Sequence, residues 1–260
     1  MDFHFHNTSN MSNTKCAICG EEITGLHWID EWGNRACDKH KREGKIKYCS
    51  SCHRIIGRYS TLSKRTGQIG FSLGNDRQVC GLCQETCVNS RKELDKSTDF
   101  VIKLLGRAGF KIYRDGLKSI TVVTKEEMEK KSPNAQGLCV SHIWPDNPRR
   151  TTSEIFILNG MPKIQLESVL AHEMLHYWVF YNGVDGGEQT EGFCNIGSAL
   201  VLNYYASRAS SHLAGHLREH ENTNADYYYG YKFLEQKKKL QDLGWEKYIN
   251  DILKRKKITP

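Results

Sequence analysis

Ser168-Val169-Leu170-Ala171-His172-Glu173-Met174-Leu175-His176-Tyr177-Trp178-Val179-Phe180 is the stretch that decides how this chain folds. From Val169 to Tyr181 its apolar character is broken only by His172, Glu173 and His176. Such a run predicts a buried helix, with an N-terminus near Gln165 to Ser168. Residues four apart share a helix face, so the two imidazoles project one turn apart and can grip a single zinc ion. Glu173 lies beside them, where a carboxylate can take a proton from zinc-activated water and later pass it to a leaving amine. The competing reading is a helix whose two half-buried histidines are satisfied by backbone or water. Burying a carboxylate and two imidazoles together without a metal or partner is costly, which favours the metal.

A catalytic zinc takes three protein ligands and leaves one position open, so a third ligand must come from elsewhere. Glu191 is the candidate. It opens Glu191-Gly192-Phe193-Cys194-Asn195 and an apolar run from Ile196 to Tyr205, which reads as a second helix. The intervening Asn182-Gly183-Val184-Asp185-Gly186-Gly187 is rich in turn residues and lets that helix fold back antiparallel onto the first. Asn195, one turn beyond Glu191, is placed to orient a ligating histidine. Glu188, nearer the turn, is the competing ligand, with Asp185 and Cys194 behind it.

Four further ligand pairs precede this region: Cys16-x2-Cys19, Cys37-x2-His40, Cys49-x2-Cys52 and Cys80-x2-Cys83. A tight turn at that spacing directs two ligands at one ion, so four pairs predict two tetrahedral zinc sites. Sequential pairing, the LIM-type arrangement, puts Cys16, Cys19, Cys37 and His40 on one ion and Cys49, Cys52, Cys80 and Cys83 on the other. Cross-braced pairing, as in RING domains, joins the first and third pairs, but the eight residues between His40 and Cys49 exceed what that pattern usually permits. Cys87 is an alternative to Cys83, and His27 and His53 are alternative ligands. With few apolar residues, this segment is expected to need its metals in order to fold.

The chain of 260 residues is 38% hydrophobic and 26% charged, enough for one good core and a smaller module. It has no apolar run of the length that spans a bilayer, and Met1-Asp2-Phe3-His4 lacks the marks of a signal peptide, so a cytoplasmic protein is expected. Ten cysteines in that compartment point to metals rather than disulfides. The net charge of +7 permits weak binding to acidic surfaces; Lys237-Lys238-Lys239 and Lys254-Arg255-Lys256-Lys257 read most simply as solvated helix faces. Residues 1–14, with His4 and His6, read as a disordered tail. Ser90 to Ala108 reads as a helix with Phe100, Val101, Leu104 and Leu105 on one side. Ser119 to Thr124 and Glu154 to Leu158 read as strands, the second ended by the turn Asn159-Gly160-Met161-Pro162. A sheet edge beside the histidine helix would offer an extended peptide a strand to pair with. His212, His216 and His220 repeat every four residues as a polar stripe, and Cys139, with His142 three residues on, is either a core cysteine or an inhibitory thiol for the zinc.

Glu31 to His40, Tyr48-Cys49-Ser50-Ser51-Cys52, Gln136-Gly137-Leu138-Cys139, Leu158 to Pro162, Leu170 to His176 and Glu191-Gly192-Phe193-Cys194 resemble, in order, the C-terminal portion of the DA-one family. Those proteins are LIM-containing metallopeptidases, known in plants as ubiquitin-activated restrictors of organ growth. The resemblance implies His172 and His176 as zinc ligands, Glu173 as general base, Glu191 as acidic ligand, and Cys37-x2-His40 as part of an atypical LIM-like module. It matches Tyr227, within Tyr227-Tyr228-Tyr229-Gly230, to a family tyrosine, making Tyr227 a candidate oxyanion donor; packing is the alternative. The implied fold is α+β: a disordered tail over 1–14, a LIM-like double zinc module over 15–90, and a zincin-like, gluzincin-type, mainly helical metallopeptidase domain with a small sheet over 91–260. The expected function is zinc-dependent endopeptidase, with one catalytic and two structural zinc ions. Expected partners are a protein or peptide substrate and a protein bound by the LIM-like module, with no nucleic acid and no membrane. The ubiquitin-interacting motifs and typical LIM domain of the plant proteins are not in this sequence, so it resembles a minimal form. The alternative function is a non-catalytic, zinc-dependent interaction adaptor or RING-like ligase subunit.

Overall fold

A computed structural model of the chain describes residues 15–60, 67, 69–185, 187–207, 212–223 and 225–255, without the side chains of His212, Glu221 and Tyr227. The tail with His4 and His6 lies outside the described residues. The chain divides into two compact units: residues up to Cys87 together with Gly160–Pro162, and Val88–Asn159 together with the chain from Lys163 onward.

The first unit is built twice from one plan. Each half starts at a Cys-x2-Cys turn in which the backbone N–H four residues after the first cysteine donates to its carbonyl: Gly20 to Cys16 and His53 to Cys49. Gly20 and His53 both have positive φ, at 79° and 56°, the left-handed corner such a turn requires. A short hairpin follows, then a one-turn helix whose first ligand is its N-cap: Cys37 before α1 (Asp38–Arg42) and Cys80 before α2 (Gly81–Glu85). The hairpins are β1 (His27–Ile29) with β2 (Arg35–Cys37) and β5 (Phe71–Gly74) with β6 (Arg77–Val79); between them β3 (Lys47–Tyr48) pairs with β4 (Ile55–Ile56). The buried Asp30 carboxylate accepts from the backbone N–H of Asn34 at 2.8 Å and of Ile55 at 2.6 Å, tying the halves together. Trp32 adds a second tie, its indole N–H donating to the Cys52 carbonyl at 2.7 Å.

The second unit mixes helices with a small sheet. Its first helix, α3 (Arg91–Arg107), is started by a capping box in which Ser90 and Glu93 satisfy each other's backbone N–H. The sheet has the order β7 (Leu117–Val123), β9 (Thr152–Leu158), β8 (Gly137–His142), with β7 parallel and β8 antiparallel to the central β9. Another short helix, α4 (Lys125–Lys131), lies between β7 and β8. The strand β8 was not expected from sequence: Gly137, Leu138 and Cys139 are only half-buried, as suits an edge strand with no clean alternation.

The helix of the opening stretch is α5 (Lys163–Tyr181), starting two residues before the expected boundary. It is buried on nearly every side, which explains its near-continuous apolar sequence. The turn at Asn182-Gly183 and a 3-10 turn over Gly187–Gln189 lead into α6 (Thr190–Ala206), which packs along α5. Then come α7 (His212–Thr223), a π-helical turn over Tyr227–Tyr231, α8 (Lys232–Leu243) and α9 (Trp245–Leu253). Among the described residues no helix is long and apolar enough to cross a membrane.

Candidate metal centre

In the first unit the eight expected ligands fall into two groups, Cys16, Cys19, Cys37 and His40 in one, Cys49, Cys52, Cys80 and Cys83 in the other, with ligand atoms within 4.8 Å of one another in each. The grouping is sequential, not cross-braced. Cys52 Sγ lies 3.7 Å from Cys80 Sγ. Thiolates bound at about 2.3 Å in a tetrahedron stand about 3.8 Å apart, so the spacing fits a zinc ion. Backbone N–H groups point at these sulfurs, from Cys80 to Cys49 at 3.3 Å and from Ile18 to Cys16 at 3.4 Å. Hydrogen bonds from Cys52, Cys80 and Cys83 hold the Cys49 thiol below the ordinary thiol range, while the same cluster pushes Cys83 above it. Four buried thiols in mutual reach cannot all ionise without a cation among them. Both ring nitrogens of the buried His40 lack a hydrogen-bond partner, as suits a ligand whose lone pair is reserved for a metal.

The alternative ligands lie elsewhere. Cys87 donates its thiol to the carbonyls of Cys83 and Gly160. His27 is held by the Gly25 carbonyl and by Arg35, and His53 is exposed.

In the second unit α5 and α6 bring three ligand atoms together. His172 Nε2 is 3.0 Å from His176 Nε2 and 3.1 Å from Glu191 Oε2, and His176 Nε2 is 3.5 Å from that same oxygen. Bonds of about 2.0–2.1 Å in a tetrahedron give edges of about 3.3 Å, so this triangle has the size of one zinc face. Asn195 holds the far side of His172: its Oδ1 lies 2.8 Å from Nδ1 while its Nδ2 donates to the Tyr229 carbonyl at 2.7 Å. Because the amide nitrogen must face a carbonyl, the oxygen faces the ring, so Nδ1 carries a proton and Nε2 is the nitrogen turned toward Glu191 and His176, the one left for a metal. Burial works to raise the Glu191 pKa, and the bonds to His172 and His176 overcome it and hold the carboxyl below its usual range. The buried Cys194, one turn along from Glu191, joins the cluster within 4.8 Å of both histidines. Glu188 is exposed on its 3-10 turn, and Asp185 is exposed too.

Glu173 is buried beside this triangle. Burial raises its pKa, against the lowering influence of His172 and His176. The Cys139 backbone N–H donates to its carboxylate, and Gly137 is pressed so close that an added Cβ would lie 2.5 Å from Glu173 Oε1. β8 therefore runs over the centre with its unpaired edge facing Glu173. The side chain of Tyr227 is outside the described residues. Tyr229, two residues on, does reach the centre: its ring faces His172 at 6.2 Å, its hydroxyl bonds Glu191, and burial pushes its pKa up to about 12.

Residues 120–244, which carry the end of β7, the His172 helix, Glu191 and Tyr229, match the family model described as DA1-like: Protein DA1. Curated relatives agree. The chain is 25% identical over 240 residues to Protein DA1-related 3 of Arabidopsis thaliana, covering 75% of this chain and 50% of that protein. It is 23% identical over 222 residues to Protein DA1-related 7 of the same plant, covering 71% and 38%. Residues 120–244 of the chain are thus similar to the DA1-like family. A further relative, the LIM domain-containing protein HDR3 of Oryza sativa subsp. japonica, is 23% identical over 235 residues, covering 74% of this chain and 45% of that protein. The chain thus spans half or less of the length of these relatives. No solved structure matches it.

Tyr229 and the β8 contact with Glu173 were missed by sequence reasoning. Within Tyr227-Tyr228-Tyr229-Gly230 the family resemblance singles out Tyr227, and nothing in the spacing points to Tyr229. The contact on Glu173 is made by backbone, which leaves little trace in sequence.

Proposed function

We propose that this chain is a zinc-dependent endopeptidase, its second unit performing hydrolysis and its cysteine-rich first unit serving as a LIM-like module for substrate recruitment or regulation. The observation that carries the reading is the triangle of His172 Nε2, His176 Nε2 and Glu191 Oε2, with edges of 3.0 to 3.5 Å, beside a buried carboxylate. A zinc ion held there by His172, His176 and Glu191 would supply Lewis acidity, polarising a scissile carbonyl and lowering the pKa of water to about 7. Glu173 accepts the proton of the attacking water at its carboxylate and delivers it to the departing amine nitrogen. Its raised pKa makes it a stronger base than a solvated glutamate, and the Cys139 N–H fixes the carboxylate in place. Tyr229, protonated at neutral pH, turns its one O–H from Glu191 to the oxygen on which negative charge develops. The free edge of β8 pairs with the backbone of an extended substrate. In the first unit, Cys16, Cys19, Cys37 and His40 hold one structural zinc, and Cys49, Cys52, Cys80 and Cys83 hold another.

Glu173→Gln tests the mechanism. The variant should fold, keep about three zinc ions per chain, and lose cleavage of a denatured protein substrate. Equal cleavage by the two proteins would remove Glu173 from the reaction.

A further inference from the structure

At the C-terminal end of α5 the second unit carries cations seated on aromatic rings. Lys111 Nζ lies 4.8 Å from the centre of the Tyr113 ring, Tyr113 stacks on Tyr181 at 4.9 Å and 27°, and the Arg149 guanidinium covers Tyr181 at 4.9 Å. The next residue, Arg150, lies over Trp144 at 4.3 Å, and Trp144 packs on His142, the last residue of β8. Lys111, Arg149 and Arg150 are exposed, and among the described residues none of them has a carboxylate partner.

A ring face orients a cation without neutralising it, so these charges are held in place yet available. The mounting is stiff. Arg149 and Arg150 sit on the 3-10 turn Pro148–Arg150, closed by the Thr151 N–H on the Pro148 carbonyl at 2.9 Å. Tyr181 is the final residue of α5, whose C-terminal carbonyls also favour a nearby cation. Two adjacent guanidinium forks are suited to paired carboxylates. Each ring already carries a cation or another ring on a face, which leaves a poor platform for stacking nucleic-acid bases.

The patch continues the free edge of β8. Gln136 directs its carbonyl to Leu158 N–H on β9, so alternation turns the backbone groups of Gly137, Cys139 and Ser141 away from β9, and the Cys139 N–H indeed meets Glu173. His142 is three residues past Cys139, about 10 Å of extended chain. A peptide lying along β8 at Glu173 therefore runs onto Trp144, Arg149 and Arg150.

We propose that this patch binds a run of aspartate or glutamate in a polypeptide, and so selects acidic segments for the His172 centre. The selection step rests on the peptidase reading; the binding step does not.

The experiment uses the full chain carrying Glu173→Gln and a fluorescein-labelled peptide with a glutamate block, compared by anisotropy with its glutamine counterpart. The acidic peptide should bind at least about tenfold tighter at low salt, with the preference shrinking as salt rises. Arg149→Gln with Arg150→Gln should remove at least about fivefold of that affinity, while Lys238→Gln with Lys247→Gln, an equal charge change at exposed sites, should leave it unchanged. Equal affinity for the two peptides, or equal losses in the two double variants, overturns the proposal. So does a single-stranded oligonucleotide whose binding depends on Arg149 and Arg150 more than the acidic peptide's does. Because the readout is binding, its failure leaves the hydrolytic reading intact, and loss of that reading leaves the binding result standing.

Discussion

Asn195→Ala removes two bonds at once, the acceptor on His172 Nδ1 at 2.8 Å and the donor to the Tyr229 carbonyl at 2.7 Å. The first loss frees the imidazole to rotate and to change tautomer, so that Nε2 no longer points reliably at the position shared with His176 and Glu191. Losing such a supporting partner lowers metal affinity by about 10–100-fold, and tenfold corresponds to about 1.4 kcal/mol. The second loss is structural. Leaving buried polar groups unpaired costs about 1–3 kcal/mol each, and the partial exposure of the Tyr229 segment puts the expected sum at about 2–4 kcal/mol. Zinc affinity of the His172 site is measured by chelator competition with the cysteine clusters loaded, and stability by thermal unfolding. Asn195→Asp separates the two effects. It restores an acceptor for His172 but sets a carboxylate oxygen against the Tyr229 carbonyl, so it should recover zinc affinity and not stability. Unchanged zinc affinity in a folded Asn195→Ala protein would refute the assigned tautomer and the orienting role.

Gly137→Ala places a methyl 2.5 Å from Glu173 Oε1 and 2.5 Å from Val169 Cγ1, so the carboxylate must move. Misplacing a reacting group by about 1 Å can cost about a hundredfold, so cleavage should fall by about 10–100-fold in kcat with zinc content unchanged; unaltered kcat would show that β8 does not position Glu173. Glu167 is wholly buried on α5, accepting from the Tyr205 hydroxyl at 2.6 Å, and burial raises its pKa above the ordinary carboxylate value. The folded state therefore holds the proton more tightly than the unfolded one, and stability is lost as pH rises from the ordinary value through the raised one. Glu167→Gln removes that loss: its melting temperature should equal that of the parent near pH 4.5 and exceed it by pH 8, and a pH-independent difference would contradict the raised pKa.

Both clusters of candidate ligands rest on short spacings, which is why so much of their grouping could be read directly. His172, Glu173 and His176 lie within five residues, and the 3.6-residue period alone fixes their relation once the helix is granted. The Cys-x2-Cys turns are equally local, their geometry set by one left-handed residue each, Gly20 and His53. Glu191 was reachable because a turn-rich loop joins two apolar runs. Tyr229 was not, for a physical reason. The segment Tyr227–Tyr231 forms a π-helical turn, which shifts side-chain directions away from the period that pattern reading assumes. Glu167 shows the same limit, because its compensation by Tyr205 lies 38 residues away in sequence.

How one helix comes to grip both nitrogens of His172 depends on a residue that propensity would discourage. Glu191 meets Nε2 and Asn195 meets Nδ1, one turn apart on α6, and that reach requires the two helix backbones to lie unusually near each other. Gly197 provides the approach: an added Cβ would stand 2.7 Å from the Ala171 carbonyl oxygen, in the turn that carries His172. A glycine inside a helix sacrifices about 1 kcal/mol relative to alanine when taken alone. Here any larger residue would wedge α6 from α5 at the level where Glu191 and Asn195 must meet the imidazole. The glycine's cost is local, and its return is the alignment of groups from two helices at one atom pair. An unfavourable local choice inside an otherwise strongly apolar helix is therefore a mark of the site itself, visible only once both helices are seen together.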